Sequence, residues 1–209
     1  LTAYTKNIAE IIDKYCDIIL VGDSVGMVLY GMKSTKKVDM ETMLIHGKTV
    51  KNATKKSLVV IDMPYKSYTN KFTAYKNAKR FIKKTKCDAV KLEGGKKISS
   101  IIKYLVTKGI PVMGHIGLLP QYSNTFKLKG KNLIEQKKIL QDAIAIAKSG
   151  VFAIVVECVV ENLAKKITQK VSIPTIGIGA SKYCDGQILV IDDMLGLSDF
   201  SPKFVKQYG

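Results

Sequence analysis

Leu20-Val21-Gly22-Asp23-Ser24-Val25-Gly26-Met27 is the stretch that decides the fold. An apolar run from Ile18 to Val21 ends abruptly in Gly-Asp-Ser. Strands of a parallel sheet read as continuous apolar runs because both faces are covered. A carboxylate and a hydroxyl set directly after such a strand stand on a rigid support. The pattern returns at Leu58-Val59-Val60-Ile61-Asp62, at Ala89-Val90-Lys91-Leu92-Glu93 and at Ile154-Val155-Val156-Glu157.

Working outward, eight short strands are expected: Leu1 to Tyr4, Ile18 to Gly22, Leu58 to Asp62, Ala89 to Leu92, Ile110 to Gly114, Phe152 to Val156, Ile173 to Gly177 and Gln187 to Ile191. Helical spacing of apolar residues falls between most of them, as at Asn7 to Tyr15, Met40 to Ala53, Thr73 to Lys84, Ile98 to Lys108, Leu133 to Lys148 and Asn162 to Gln169. Gly26 to Asp39 and Gln121 to Gly130 read as loops. Alternation of strand and helix with eight strands predicts an α/β fold of the (β/α)8 TIM-barrel type, one domain over residues 1–209. A doubly wound open sheet is the alternative, but no Gly-x-Gly-x-x-Gly follows the first strand. The units at both ends are thin, so truncated terminal elements are expected.

Of 34 basic residues only Arg80 is arginine, against 17 acidic ones, giving a net charge of +17. Nucleic-acid readers favour arginine for bidentate contacts. These lysines are spread along the chain without interleaved aromatics, so no nucleic-acid partner is expected. Cys16, Cys87, Cys158 and Cys184 show no Cys-x-x-Cys spacing and predict buried, reduced thiols in a cytoplasmic protein. No apolar run reaches the roughly 18 residues of a membrane span, and Leu1 to Tyr15 lacks signal-peptide architecture.

Active sites of such barrels form at the C-terminal ends of the strands. Standing there are Asp23, Ser24, Asp62, Lys91, Glu93, His115 and Glu157. Singly, each has an ordinary reading. Asp23 suits an Asx-turn or helix cap, Asp62 and Glu93 suit turns, and His115 suits a hydrogen-bonded structural histidine. Lys91 is harder to dismiss, because it alternates with Val90 and Leu92 and so points inward, where a lysine needs a partner. His46 falls within a helix and reads as structural. Four carboxylates at one level would repel one another, and a bound divalent cation would resolve the conflict. Oxygen-only ligands suit a hard ion such as Mg²⁺.

The chain resembles the ketopantoate hydroxymethyltransferase family. The resemblance rests on Leu1-Thr2-Ala3-Tyr4, Val21-Gly22-Asp23-Ser24-Val25-Gly26-Met27, Asp62-Met63-Pro64 and Val90-Lys91-Leu92-Glu93-Gly94-Gly95. It continues through Gly114-His115-Ile116-Gly117-Leu118-Leu119-Pro120-Gln121, Glu157-Cys158-Val159, Ile176-Gly177-Ile178-Gly179-Ala180 and Asp185-Gly186-Gln187-Ile188-Leu189-Val190. It implies Mg²⁺ on Asp23 and Asp62, with Glu93 as a further metal-site carboxylate. Ser24, Lys91 and His115 would hold 3-methyl-2-oxobutanoate, and Glu157 would be the base. The one-carbon donor would be 5,10-methylenetetrahydrofolate, the product 2-dehydropantoate, and the assembly a homodecamer built as a pentamer of dimers. Thr5, Ser181 and Lys129 depart from the family's usual Asp, Gly and Gln, and the loop around Thr125 to Gly130 is short. Two other readings stay open: a Mg²⁺-dependent lyase or mutase of the phosphoenolpyruvate mutase and isocitrate lyase type, and a non-catalytic lysine-rich RNA-binding protein.

Overall fold

In the computed structural model, which describes residues 1–123, 125–198 and 202–209, seven strands lie side by side in chain order, every neighbouring pair parallel. Helix α1 (Lys6–Ile12) precedes β1 (Ile18–Val21); α2 (Val25–Val28) and α3 (Met40–Ala53) lead to β2 (Leu58–Asp62). Then follow α4 (Lys71–Thr85), β3 (Ala89–Glu93), α5 (Ser99–Thr107), β4 (Val112–Gly117), α6 (Leu133–Lys148) and β5 (Ala153–Glu157). The chain ends through α7 (Glu161–Lys170), β6 (Thr175–Ile178), β7 (Gly186–Gln187) and α8 (Ile191–Met194).

The curled sheet has two faces with separate cores. Val60, Ala89, Met113, Ala153, Val155 and Ile188 pack together inside the curl. Their alternate neighbours, among them Val59, Ile61, Val90, Val112 and Ile154, join the larger core beneath the helices. This is the period-two rule of a strand acting on both faces at once. Helix α4 shows how the outer layer is specified. It buries Ala74, Ala78, Phe81 and Thr85, one face at 3.6 residues per turn. Asn70 caps it by accepting from the N–H groups of Phe72 and Thr73 at 3.0 and 2.9 Å. Phe81 is fully buried, so Phe81→Ala would cost about 3–5 kcal/mol. Helix α3 lies so close to β2 that a Cβ on Gly47 would strike Ile61 Cδ1.

At the end of the sheet away from the polar strand ends, Asp13 ties α1 to the start of β2. Its carboxylate accepts from the N–H groups of Lys55 and Ser57, both at 2.8 Å, and of Lys56 at 3.1 Å. Burial alone would raise its pKa, but these bonds outweigh it and hold the group at about 2.

The expected eight strands are present in reduced form. Leu1 to Tyr4 contributes a single parallel bridge, Thr2 to Leu20, instead of a full strand. That segment nevertheless joins the sheet's two edges: Leu20 N–H donates to Leu1 O at 3.0 Å, Ala3 N–H to Leu20 O at 3.0 Å, and Thr2 N–H to Leu189 O at 3.1 Å. The last strand is confined to Gly186–Gln187, and Ile191 starts α8 instead of extending it; Ile191 N–H donates to Thr2 Oγ1 at 3.0 Å. Short edges of this kind can be held by turn hydrogen bonds without a continuous ladder. Residues 26–39 are less loop-like than expected, because α2 begins at once after Ser24 and a 3-10 turn spans Thr35–Lys37. Within the Gln121 to Gly130 loop, Asn124 lies outside the described residues. The cysteines are unpaired, but only Cys87 and Cys184 are buried; Cys16 and Cys158 are half-buried.

Candidate active site

The polar strand ends converge. Inward alternation on β2, β3, β4 and β5 brings Asp62, Lys91, Glu93, His115 and Glu157 to one rim, and the turn after β1 adds Asp23 and Ser24. Lys91 Nζ pairs with Asp62 Oδ1 at 3.0 Å and lies 3.1 Å from His115 Nδ1. An ammonium can only donate, so Nδ1 accepts, and the neutral ring carries its proton on Nε2. Nε2 lies 3.1 Å from Glu157 Oε2. Asp62 and Asp23 are joined directly, the N–H of Asp23 donating to Asp62 Oδ2 at 3.1 Å. Ser24 Oγ shares a hydrogen bond of 2.8 Å with Tyr4 OH.

Burial sets the electrostatics. Lys91 is the one lysine among the described buried residues, at 4 % exposure. Burial alone would lower its pKa, but Asp62, Glu93 and Asp23 outweigh that and hold it above the ordinary lysine range. Asp23 is raised to about 7, first by burial and then by the neighbouring Asp62 charge. Burial, with Asp23 next, holds Glu93 well above the usual carboxylate range. Glu157 is raised to about 7 by burial, with Lys91 partly opposing the shift. Burial and the adjacent Lys91 hold His115 well below the usual histidine range, in keeping with a neutral ring.

The carboxylates outnumber the single buried ammonium, an excess of negative charge that a bound cation would offset. Among the described residues no three His, Cys, Asp or Glu side chains are arranged to enclose a metal ion. Asp62 Oδ1 is buried and receives no hydrogen bond among the described residues, with the Lys91 ammonium 3.0 Å away. That donor set fits Mg²⁺, which is commonly held by one or two carboxylates and keeps waters or substrate in its other positions.

The rim opens into a cavity of about 1090 Å³. Its floor carries the charged groups, and its walls include Met27, Met32, Phe126, Leu128 and Phe204. The space exceeds what a small oxo acid needs and suits two substrates together. Gly117 shapes one side. Its φ is +91°, and a Cβ there would strike the carbonyl oxygen of Glu157, so this approach of β4 to β5 needs glycine.

Three residues of the site escape a reading by strand ends. Tyr4 reaches Ser24 from the chain start; Tyr68 and Gln121 are buried beneath Glu93. Gln121 stands inside the Gly114 to Gln121 motif, but its place after Pro120 suggested only the start of a loop. His46 is structural, as expected, with Nδ1 2.7 Å from the carbonyl oxygen of Tyr4 and Nε2 2.9 Å from Tyr30 OH. No helix among the described residues is long and apolar enough to cross a membrane.

Comparison with known proteins adds a family. The model for ketopantoate hydroxymethyltransferase matches residues 1–209. A protein of Pelagibacter ubique named 3-methyl-2-oxobutanoate hydroxymethyltransferase is 57% identical over 208 residues, covering all of this chain and 81% of that protein. One of the same name from Anaplasma marginale is 53% identical over 211 residues, with 76% of it covered. Among solved structures, phosphonopyruvate hydrolase in complex with oxalate and Mg²⁺ matches with a TM-score of 0.65 at 11% identity, over 85% of this chain and 65% of that one. 2,3-Dimethylmalate lyase, of the phosphoenolpyruvate mutase and isocitrate lyase superfamily, matches with a TM-score of 0.64 at 13% identity, over 84% and 64%. At such identities the two structures speak to the fold alone.

Proposed function

The chain belongs to the ketopantoate hydroxymethyltransferase family, and on that premise we propose how its strand-end rim transfers a hydroxymethyl group to 3-methyl-2-oxobutanoate in pantothenate synthesis. The carrying observation is the continuous line from Asp62 through Lys91 and His115 to Glu157, all within about 3 Å steps at the cavity floor.

Asp23 and Asp62 would hold Mg²⁺, with Glu93 close by and linked through water. Bound there, the ion supplies Lewis-acid polarisation of the oxo acid's keto group. Lys91 and the neutral His115 would orient the substrate carboxylate, with the Ser24 hydroxyl, steadied by Tyr4, as a third contact. C3 of the substrate is α to a ketone and only weakly acidic. Glu157 would take its proton: a pKa raised to about 7 gives a carboxylate the basicity of a general base near neutrality. His115 Nε2 stands 3.1 Å from Glu157 Oε2, which sets the imidazole beside the carboxylate. The enolate carbon then forms a bond to the methylene carbon of 5,10-methylenetetrahydrofolate; water supplies the hydroxyl oxygen, and tetrahydrofolate leaves. Holding both substrates in one cavity would supply much of the acceleration. The apolar walls from Met27 to Phe204 would take the larger, flat donor. A homodecamer, as the family resemblance implies, and a cytoplasmic setting, as the unpaired cysteines suggest, complete the proposal; sedimentation would test the assembly.

The test is turnover. With 3-methyl-2-oxobutanoate and 5,10-methylenetetrahydrofolate, 2-dehydropantoate should form with Mg²⁺ and stop with a chelator. Folded protein that gives no product under those conditions would refute the proposal.

A further inference from the structure

Gln121 stands where several site carboxylates meet, behind Asp23 and outside the cavity lining. It is 1 % exposed and every polar atom of its side chain is engaged. Nε2 donates to Asp23 Oδ2 at 2.8 Å and to the carbonyl oxygen of Met63 at 2.9 Å. Oε1 accepts from Tyr68 OH at 2.6 Å. The backbone N–H of Gln121 donates to Glu93 Oε2 at 3.0 Å.

The amide has one acceptable orientation. Rotated by a half turn, Oε1 would face the Asp23 carboxylate and the Met63 carbonyl, two acceptors, while the amide nitrogen would face Tyr68. The Asp23 and Met63 acceptors therefore set the amide, Tyr68 completes it by donating to Oε1, and the amide in turn holds Asp23. The three carboxylates then share a pattern. Asp23 gives Oδ2 to Gln121, Asp62 gives Oδ2 to the N–H of Asp23, and Glu93 gives Oε2 to the N–H of Gln121. The second oxygen of Asp23 and of Glu93 accepts no hydrogen bond among the described residues, while that of Asp62 faces the Lys91 ammonium at 3.0 Å.

We infer that Gln121 is a positioning residue: it holds Asp23 and Glu93 so that each turns a single oxygen toward a shared cation position. It also joins that position to the segment after β4, whose Pro120, Phe126 and Leu128 wall the cavity. The inference rests on the cation reading proposed above. Partners one step behind a metal ligand typically change metal affinity by about 10–100-fold when removed.

The test uses Mn²⁺ alone as the probe, with free Mn²⁺ followed by electron paramagnetic resonance and no turnover required. Gln121→Met keeps the side-chain length and the backbone N–H while removing the amide. Tyr68→Phe keeps Gln121 but removes the hydroxyl that donates to its Oε1. Gln121→Met should weaken Mn²⁺ binding by about 10–100-fold, and Tyr68→Phe should weaken it in the same direction by less. Unfolding temperatures measured with chelator present separate this from a loss of fold. If Gln121→Met does not fold, Tyr68→Phe decides alone. Wild-type affinity in the folded variants overturns the positioning role while leaving the cation reading intact. Wild-type protein that takes up no Mn²⁺ overturns the cation reading, and the positioning role with it.

Discussion

Replacing Lys91 by Met removes the one buried ammonium among the described residues from the carboxylate rim while keeping most of its volume. In the intact protein the Lys91–Asp62 contact of 3.0 Å is worth a gross attraction of about 5 kcal/mol at an effective dielectric constant near 20. Breaking a buried pair from one side typically costs about 3–5 kcal/mol, because the remaining charge stays buried. Here the cost depends on pH. Asp23 and Glu157 are already raised to about 7, chiefly by burial, and Lys91 opposes both shifts. Without it, the folded form holds those protons, and that on Glu93, more tightly still. A group whose folded pKa lies above its unfolded value lends stability below the unfolded pKa and loses it as pH rises through the folded one. The deficit of Lys91→Met should therefore be small near pH 5 and grow to about 3–5 kcal/mol by about pH 8. Urea unfolding of both proteins at the two pH values measures it. A deficit that is equal at both, or that shrinks as pH rises, would refute the reasoning.

Other outcomes follow from the same geometry. Because Glu157 must be deprotonated to act, turnover should rise tenfold per pH unit below a midpoint of about 7 and level off above it; a pH-rate profile flat through that region would exclude Glu157 as the group responsible. Asp62→Ala should abolish Mg²⁺-dependent binding of 3-methyl-2-oxobutanoate in calorimetry, and unchanged binding would remove Asp62 from the cation set. Asp13→Ala should cost about 1.5–3 kcal/mol near neutrality. With a folded pKa lowered to about 2, Asp13 stabilises above its unfolded value of about 3.9 and loses that contribution as pH falls between the two. Acid titration of stability should therefore narrow the gap between wild type and variant toward pH 2.

What the sequence made legible, and what it hid, divides along physical lines. Strand cores such as Val59-Val60-Ile61 announce themselves, because burial on both faces leaves no polar position. The rim residues were legible for the same reason: a charged group directly after such a run has few places to go, and Lys91 within one has fewer. The ends of the barrel were less so. Leu1 to Tyr4 and Gln187 to Ile191 carry strand-like residues, but their pairing rests on a few hydrogen bonds, with Leu20, Leu189, Gly177 and Thr2, that no local pattern encodes. Gln121 was hidden for a further reason. Its role comes from partners at Asp23, Met63 and Tyr68, far away in sequence, and a polar residue after proline reads locally as loop.

The central claim is that Glu157 removes the C3 proton of an oxo acid held at this rim. Proton exchange at C3 of 3-methyl-2-oxobutanoate in deuterated water, with Mg²⁺ and no folate, tests it most directly by nuclear magnetic resonance. Wild-type protein should exchange the proton, while Glu157→Gln should bind the oxo acid and exchange it about 10²–10⁴-fold more slowly. Exchange by Glu157→Gln at the wild-type rate would contradict the account.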